Sequence, residues 1–235
     1  MSIFTTEIIG TLLLVLFGNG VVANVVLTKT KGNNSGWIVI TFGWAVAVFV
    51  GVYTTAATSG AHLNPAVTIA LAAISKVAWA DVPTYIAAQF IGAMLGTTLV
   101  WLAYRQHFEA TDNADGKLAV FCTSPAIRNM GYNFLTEVIG TFALMFGVLF
   151  ISAPAASLGA LDALPVALLV LGIGLSLGGA TGYAINPARD LGPRMMHAIL
   201  PISGKRDSDW AYAWIPVVAP IVGALAAAML FQVIQ

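Results

Sequence analysis

Ser59-Gly60-Ala61-His62-Leu63-Asn64-Pro65-Ala66 and Thr181-Gly182-Tyr183-Ala184-Ile185-Asn186-Pro187-Ala188 are two copies of one pattern. Asparagine suits a helix N-cap and proline the first helical position, so each copy predicts the start of a helix. Each also closes a long apolar segment near the middle of its half of the chain. Inside a membrane, broken backbone is tolerated only where it is buried in protein or faces a water-filled cavity. The two triplets are therefore the first candidates for a functional site.

Composition sets the class. Hydrophobic residues make up 59% of the chain and charged residues only 9%, with a mean hydropathy of +0.88, far from the balance of a soluble domain. Ten Lys and Arg stand against ten Asp and Glu, so there is no basic surplus to suggest a nucleic-acid partner. The single Cys122 has no second cysteine for an internal disulfide and no metal-ligand companion, so a free thiol is expected. Neither a cofactor nor a metal is expected. The start, Met1-Ser2-Ile3-Phe4, lacks a basic region ahead of its apolar stretch and reads as a retained first span.

About 20 residues are needed to cross a ~30 Å hydrocarbon core. Segments of that kind fall near Phe4–Leu27, Trp37–Thr58, Val82–Tyr104, Asn133–Ile151, Leu164–Ala180 and Trp210–Val233. Asn64–Ala73 and Asn186–Leu200 read as helices too short to span. Turn and polar signals mark the connections Lys29–Gly36, Arg105–Met130, Pro154–Asp162 and Ser203–Asp209.

The halves repeat one another. Thr6-Glu7-Ile8-Ile9-Gly10-Thr11 returns as Thr136-Glu137-Val138-Ile139-Gly140-Thr141, and Ile91-Gly92-Ala93 as Val222-Gly223-Ala224. Three spans per unit is an odd number, so the second copy enters the membrane inverted relative to the first. The expected fold is an all-α membrane protein of six transmembrane helices and two re-entrant half-helices in an inverted repeat. It forms one domain over residues 1–235, with repeats of approximately 1–110 and 131–235 joined by a 105–130 loop. Inversion brings Asn64 and Asn186 to one place near the midplane. Small residues (Gly10, Thr11, Gly92, Gly96, Gly140, Thr141, Gly223, Ala227) predict close approach of the spans.

These features, with Asn186-Pro187-Ala188-Arg189-Asp190-Leu191-Gly192-Pro193, resemble the aquaporin family over essentially the whole chain, and Asp190 after Arg189 resembles its glycerol-facilitator branch. The resemblance implies a passive channel for glycerol and other small uncharged solutes, with water as co-permeant. It implies a homotetramer in a lipid bilayer, with cytoplasmic termini. Urea, dihydroxyacetone and undissociated small acids are further candidate solutes. A water-selective channel is the alternative. An ion-coupled transporter also uses inverted repeats, but would need ionisable coupling residues beyond Glu7 and Glu137.

Carried over by position, Trp44, Gly174, Tyr183 and Arg189 would form the selectivity ring. Glycine at 174 would leave space where water-only members place histidine, and tyrosine at 183 departs from the more usual phenylalanine. A guanidinium amid apolar spans is costly and is by default a functional-site candidate. Asn64 and Asn186 are expected to cap their helices and offer amide N–H groups to the lumen. Backbone carbonyls of Gly60, Ala61, His62, Gly182 and Ala184 are expected to face a permeant along one wall. Glu7 and Glu137 are read as braces satisfied by loop N–H groups, and Asp190 as partner of a basic group or loop cap. His107 and His197 read as incidental.

One feature opposes the implied orientation. It puts Lys29, Lys31, Lys117, Arg128, Lys205 and Arg206 outside and Lys76 inside, against the positive-inside tendency.

Overall fold

Ten helices order the chain in a computed structural model that describes residues 1–151 and 161–235. They are α1 (Ile3–Val26), α2 (Trp37–Ser59), α3 (Pro65–Ala73), α4 (Val82–Ala103), α5 (Arg105–Ala110), α6 (Ala114–Phe121), α7 (Met130–Ile151), α8 (Leu164–Ser176), α9 (Pro187–Ile199) and α10 (Ile215–Ile234). Among the described residues, α1, α2, α4, α7 and α10 are long and apolar enough to cross a membrane.

The ends of these helices are set by local chemistry. Ser2 caps α1, its hydroxyl accepting from Thr5 N. Helix α7 begins three residues earlier than the Asn133 expected, because Asn129 accepts from Tyr132 N and Asn133 folds back to Ile127 O and Asn129 N. Helix α10 starts at Ile215, five residues later than expected, after a run of turns from Trp210. The expected Leu164–Ala180 span is the largest departure. Helix α8 stops at Ser176, and 13 residues rise only ~20 Å. Gly178 and Gly179 follow, and glycine disfavours helix by about 1 kcal/mol relative to alanine. The Pro154–Asp162 connection lies, except for its last two residues, outside the described residues.

Helix α1 packs between α2 and α4, and α7 packs against α10 and α8. A Cβ on Gly92 or Gly96 would lie 2.5 Å from the carbonyl oxygens of Ile8 and Leu12, and one on Gly223 would strike Val138 O. The glycines thus let backbones nearly touch at equivalent places in both halves. Each short helix packs against a span of the other half, α3 on α10 and α9 on α4.

The Arg105–Met130 connection is more than a polar loop. It contains α5 and α6, whose Phe108, Leu118, Val120 and Phe121 are buried in the main core with Val22 and Val25 of α1. Asn113 caps α6 through Gly116 N. The outward faces of the spans, including Phe42, Val46, Leu99, Leu102, Leu168 and Met229, are exposed, as a lipid-facing bundle requires.

Candidate functional site

The loops entering α3 and α9 have the same unusual backbone. Gly60, Ala61 and Leu63 take φ of 78, 52 and 51°, and Gly182, Tyr183 and Ile185 take 83, 40 and 43°. Left-handed backbone is uncommon outside glycine and costs about 1–3 kcal/mol per residue, so something must hold it. A carboxylate does so in each half. Glu7 accepts from Ser59 Oγ (2.6 Å), His62 N (3.0 Å), Leu63 N (2.8 Å) and Gln89 Nε2 (2.9 Å). Glu137 accepts from Thr181 Oγ1 (2.7 Å), Ala184 N (3.0 Å) and Ile185 N (2.9 Å). Alternating left-handed residues gather successive N–H groups into an anion-holding nest, here filled by the carboxylate. The buried charge is satisfied by hydroxyl and main-chain donors of these loops.

Asn64 and Asn186 meet head to head across the repeat. Asn64 Oδ1 accepts from Ala66 N at 2.9 Å, and Asn186 Oδ1 from Ala188 N at 3.0 Å and Arg189 N at 3.2 Å. Their amide nitrogens cross over. Asn64 Nδ2 donates to Ile185 O and Asn186 Nδ2 to Leu63 O, both at 2.8 Å. One N–H of each amide is thereby engaged, so only its second is available to a ligand. Pro65, Ala66, Pro187 and Ala188 lie behind the asparagines in the first turns of α3 and α9 and are buried.

A cavity of about 360 Å³ runs past this junction. Gly60, Ala61, His62, Leu63, Tyr183, Ala184, Ile185 and both asparagines line one side, and Leu14, Val48, Val52, Leu144, Val148 and Val170 are among its apolar lining. Trp44, Tyr183 and Arg189 border one end, and Ile151, Asp162 and Pro165 the other. Gly182 does not border it; a Cβ there would lie 3.2 Å from Thr123. The His62 ring stacks on Tyr85 (4.2 Å between centroids) and its Nδ1 lies 3.1 Å from Thr68 Oγ1.

At the arginine end, Arg189 is only 8% exposed and its guanidinium lies over the Trp44 ring, 4.1 Å from the centroid. Trp44 fits because Gly18 leaves no side chain in its way. Gly174 does not open onto the cavity. A Cβ there would lie 3.0 Å from both Tyr183 Cζ and Thr41 Cγ2, so the vacated volume receives the tyrosine ring instead.

Behind Arg189, Asp190 is fully buried. Its Oδ2 accepts from Thr123 N and Oγ1, both at 2.7 Å, and its Oδ1 from Arg194 Nε and Nη2 at 2.9 and 2.8 Å. Arg194, also fully buried, donates on to Ser208 O (2.8 Å) and Thr123 O (2.9 Å). This pair ties α9 to two outer connections. Sequence reasoning named Asp190 but missed Arg194, Thr123, Gln89 and Trp37; Arg194, one turn past Asp190 on α9, was the one with a spacing signal. His197 is buried, with Nδ1 at 2.9 Å from Ser208 Oγ, and so belongs to this packing rather than being incidental.

The basic residues at that end are largely engaged. Lys205 Nζ donates to His197 O, Ala198 O and Leu200 O at 2.6–2.8 Å, complementing the negative end of α9, and burial holds its ammonium below the usual lysine range. Lys117 donates to Ser203 O, Arg128 pairs with Asp209, and Arg206 with Asp115 and Asp207.

Residues 2–231 match the major intrinsic protein family. The chain belongs to that family. The "Probable glycerol uptake facilitator protein" of Thermotoga maritima is 58% identical over 99% of both chains. The "Glycerol uptake facilitator protein" of Streptococcus pneumoniae R6 is 55% identical over 96% of both. Among solved structures, the aquaglyceroporin from Plasmodium falciparum superposes with a TM-score of 0.86 at 33% identity, covering 97% of this chain and 94% of that one. The major intrinsic protein fold, with half-helices meeting between spans, accounts for the architecture.

Proposed function

We propose that this major intrinsic protein is a passive membrane channel for glycerol and other small uncharged solutes, with water passing by the same route and ions and protons excluded. The observation that carries it is a cavity of mixed lining. The two entry loops and both asparagines line it together with aliphatic side chains, so polar main chain and apolar groups face the same space. A polyol has hydroxyls along one edge and C–H groups along the other, so it satisfies both at once. The relatives named for glycerol uptake support the same reading.

Cations are disfavoured twice. The N-termini of α3 and α9 converge on the asparagines, each carrying about half a positive charge. Arg189 adds a whole one at the end of the cavity, held between its Trp44 stack and the α9 backbone. In this reading Trp44, Tyr183 and Arg189 contact the solute at the constriction, Gly174 acts through Tyr183, and Glu7, Glu137 and Asp190 hold the loops. Cytoplasmic termini and a homotetramer in the cell membrane complete it. The engagement of Lys117, Arg128, Lys205 and Arg206 by protein acceptors supports that orientation, since those charges have a structural use at their end of the bundle.

Stopped-flow light scattering of proteoliposomes in an inward glycerol gradient tests the proposal. Rapid shrinkage followed by protein-dependent reswelling is expected. Shrinkage without reswelling would favour the second reading, a water-selective channel, for which the Tyr183 ring in the Gly174 space is the supporting observation. Uphill solute accumulation driven by an ion gradient would overturn both.

A further inference from the structure

Tyr183 stands at the constriction end of the cavity. Its hydroxyl is buried without a partner among the described residues. The ring lies in a slot made by the end of α8, the start of α2 and Gly178 of its own loop. Gly174 and Gly178 form the floor: a Cβ on Gly174 would meet Tyr183 Cζ at 3.0 Å, and one on Gly178 would collide with Tyr183 Cδ1. Trp37, the first residue of α2, closes the slot. Its indole meets the tyrosine edge-on, with centroids 5.8 Å apart and planes at 81°, a favoured aromatic geometry. The indole is itself anchored, since Nε1 donates to Gly174 O at 3.0 Å. That carbonyl lies in the last turn of α8, where helical carbonyls lack intrahelical partners, so the bond meets a need on both sides.

We infer that Trp37 is a positioning residue for the constriction: its indole holds the Tyr183 ring down in the Gly174–Gly178 slot and so fixes how far the ring stands into the passage. The inference deepens the channel reading and rests on it. A tryptophan at a span end that is 40% exposed also fits an interfacial anchor, and the test must separate the two. An anchor acts through lipid and is indifferent to residue 183. A clamp acts only through that ring.

The experiment is a double-mutant cycle on reconstituted protein, read as the ratio of glycerol to water permeability by stopped flow. Trp37→Leu should change the ratio by about threefold or more in the natural background and by less than about 1.5-fold in a Tyr183→Leu background, where there is no ring to hold. Trp37→Phe, which keeps an aromatic edge, should restore the ratio to within about twofold of the natural protein. An unchanged ratio for Trp37→Leu, or an equal change in both backgrounds, overturns the clamp. Should Trp37→Leu fail to reconstitute, Trp37→Met takes its place in the same cycle, and an unchanged ratio or an equal change in both backgrounds overturns the clamp. If the natural protein passes no glycerol, the channel reading for polyols fails separately. The same cycle read on water permeability alone then decides whether Trp37 positions Tyr183.

Discussion

The guanidinium of Arg189 lies face-on to Trp44, 4.1 Å from the ring centroid, so the one cation bordering the cavity rests on an aromatic from the other half of the chain. No acceptor among the described residues takes its side-chain N–H groups, which leaves them to a passing hydroxyl. Arg189→Val removes both the donors and the charge. Proteoliposomes carrying it should leak protons or sodium about tenfold faster than the natural protein under an imposed potential. An unchanged leak would place the ion barrier at the half-helix ends alone.

Gly174 matters through what it accommodates. Gly174→Ala places a methyl 3.0 Å from Tyr183 Cζ, tighter than contact distance, and pushes the ring toward the passage. Glycerol permeability should fall roughly tenfold while water permeability falls less, with Gly174→His more severe in the same sense, because size discrimination sharpens as a pore narrows. Equal loss of both fluxes would mean that the glycine serves packing only.

The two carboxylate braces differ in a way that predicts unequal damage. Replacing either glutamate by glutamine turns one acceptor into a donor facing buried N–H groups, at a cost of about 1–3 kcal/mol. Beside Glu7, Gln89 carries an Oε1 without a partner among the described residues, and turning its amide over supplies an acceptor for the new N–H in exchange for its 3.1 Å bond to Thr68 Oγ1. Among the described residues no side-chain amide is bonded to Glu137. Glu137→Gln should therefore lower the unfolding temperature of the detergent-solubilised protein more than Glu7→Gln, and equal shifts would discount the amide flip.

Arg194 and Asp190 are a buried pair in which each satisfies the other. Arg194→Met strands the carboxylate and frees Ser208 O and Thr123 O, and breaking such a pair costs about 3–5 kcal/mol. Faster proteolysis within residues 105–129 and 201–209 of the folded protein is expected, since both segments are tied through this pair. Protection equal to the natural protein would show that apolar packing of α6 suffices.

The architecture was legible because its signals are local and duplicated. Asn-Pro-Ala announces a capped helix start, and two such starts within apolar chain leave few arrangements. Glu7 and Glu137 were legible as braces for a related reason: a carboxylate within an apolar span needs donors, and the loops have them. Contacts that depend on shape were not. Gly174 reads as empty space in one dimension, yet in three the Tyr183 ring takes that space from nine residues along. Trp37 and Gln89 give no periodic or motif signal, because their partners come from other helices. The helices within 105–130 depended on burial of Phe108 and Phe121 in a core built with residues from distant spans.

The nests around Glu7 and Glu137 carry an evolutionary corollary. In the proposed channel, oxygens presented by residues 60–63 and 183–185 would be peptide atoms, so substitution reaches that half of the conduit only through the left-handed backbone the new residue must adopt. On that reading, substitutions that retune permeant preference act through the opposing aromatic and aliphatic lining, while the main-chain half keeps its form as long as the two acids beneath it persist.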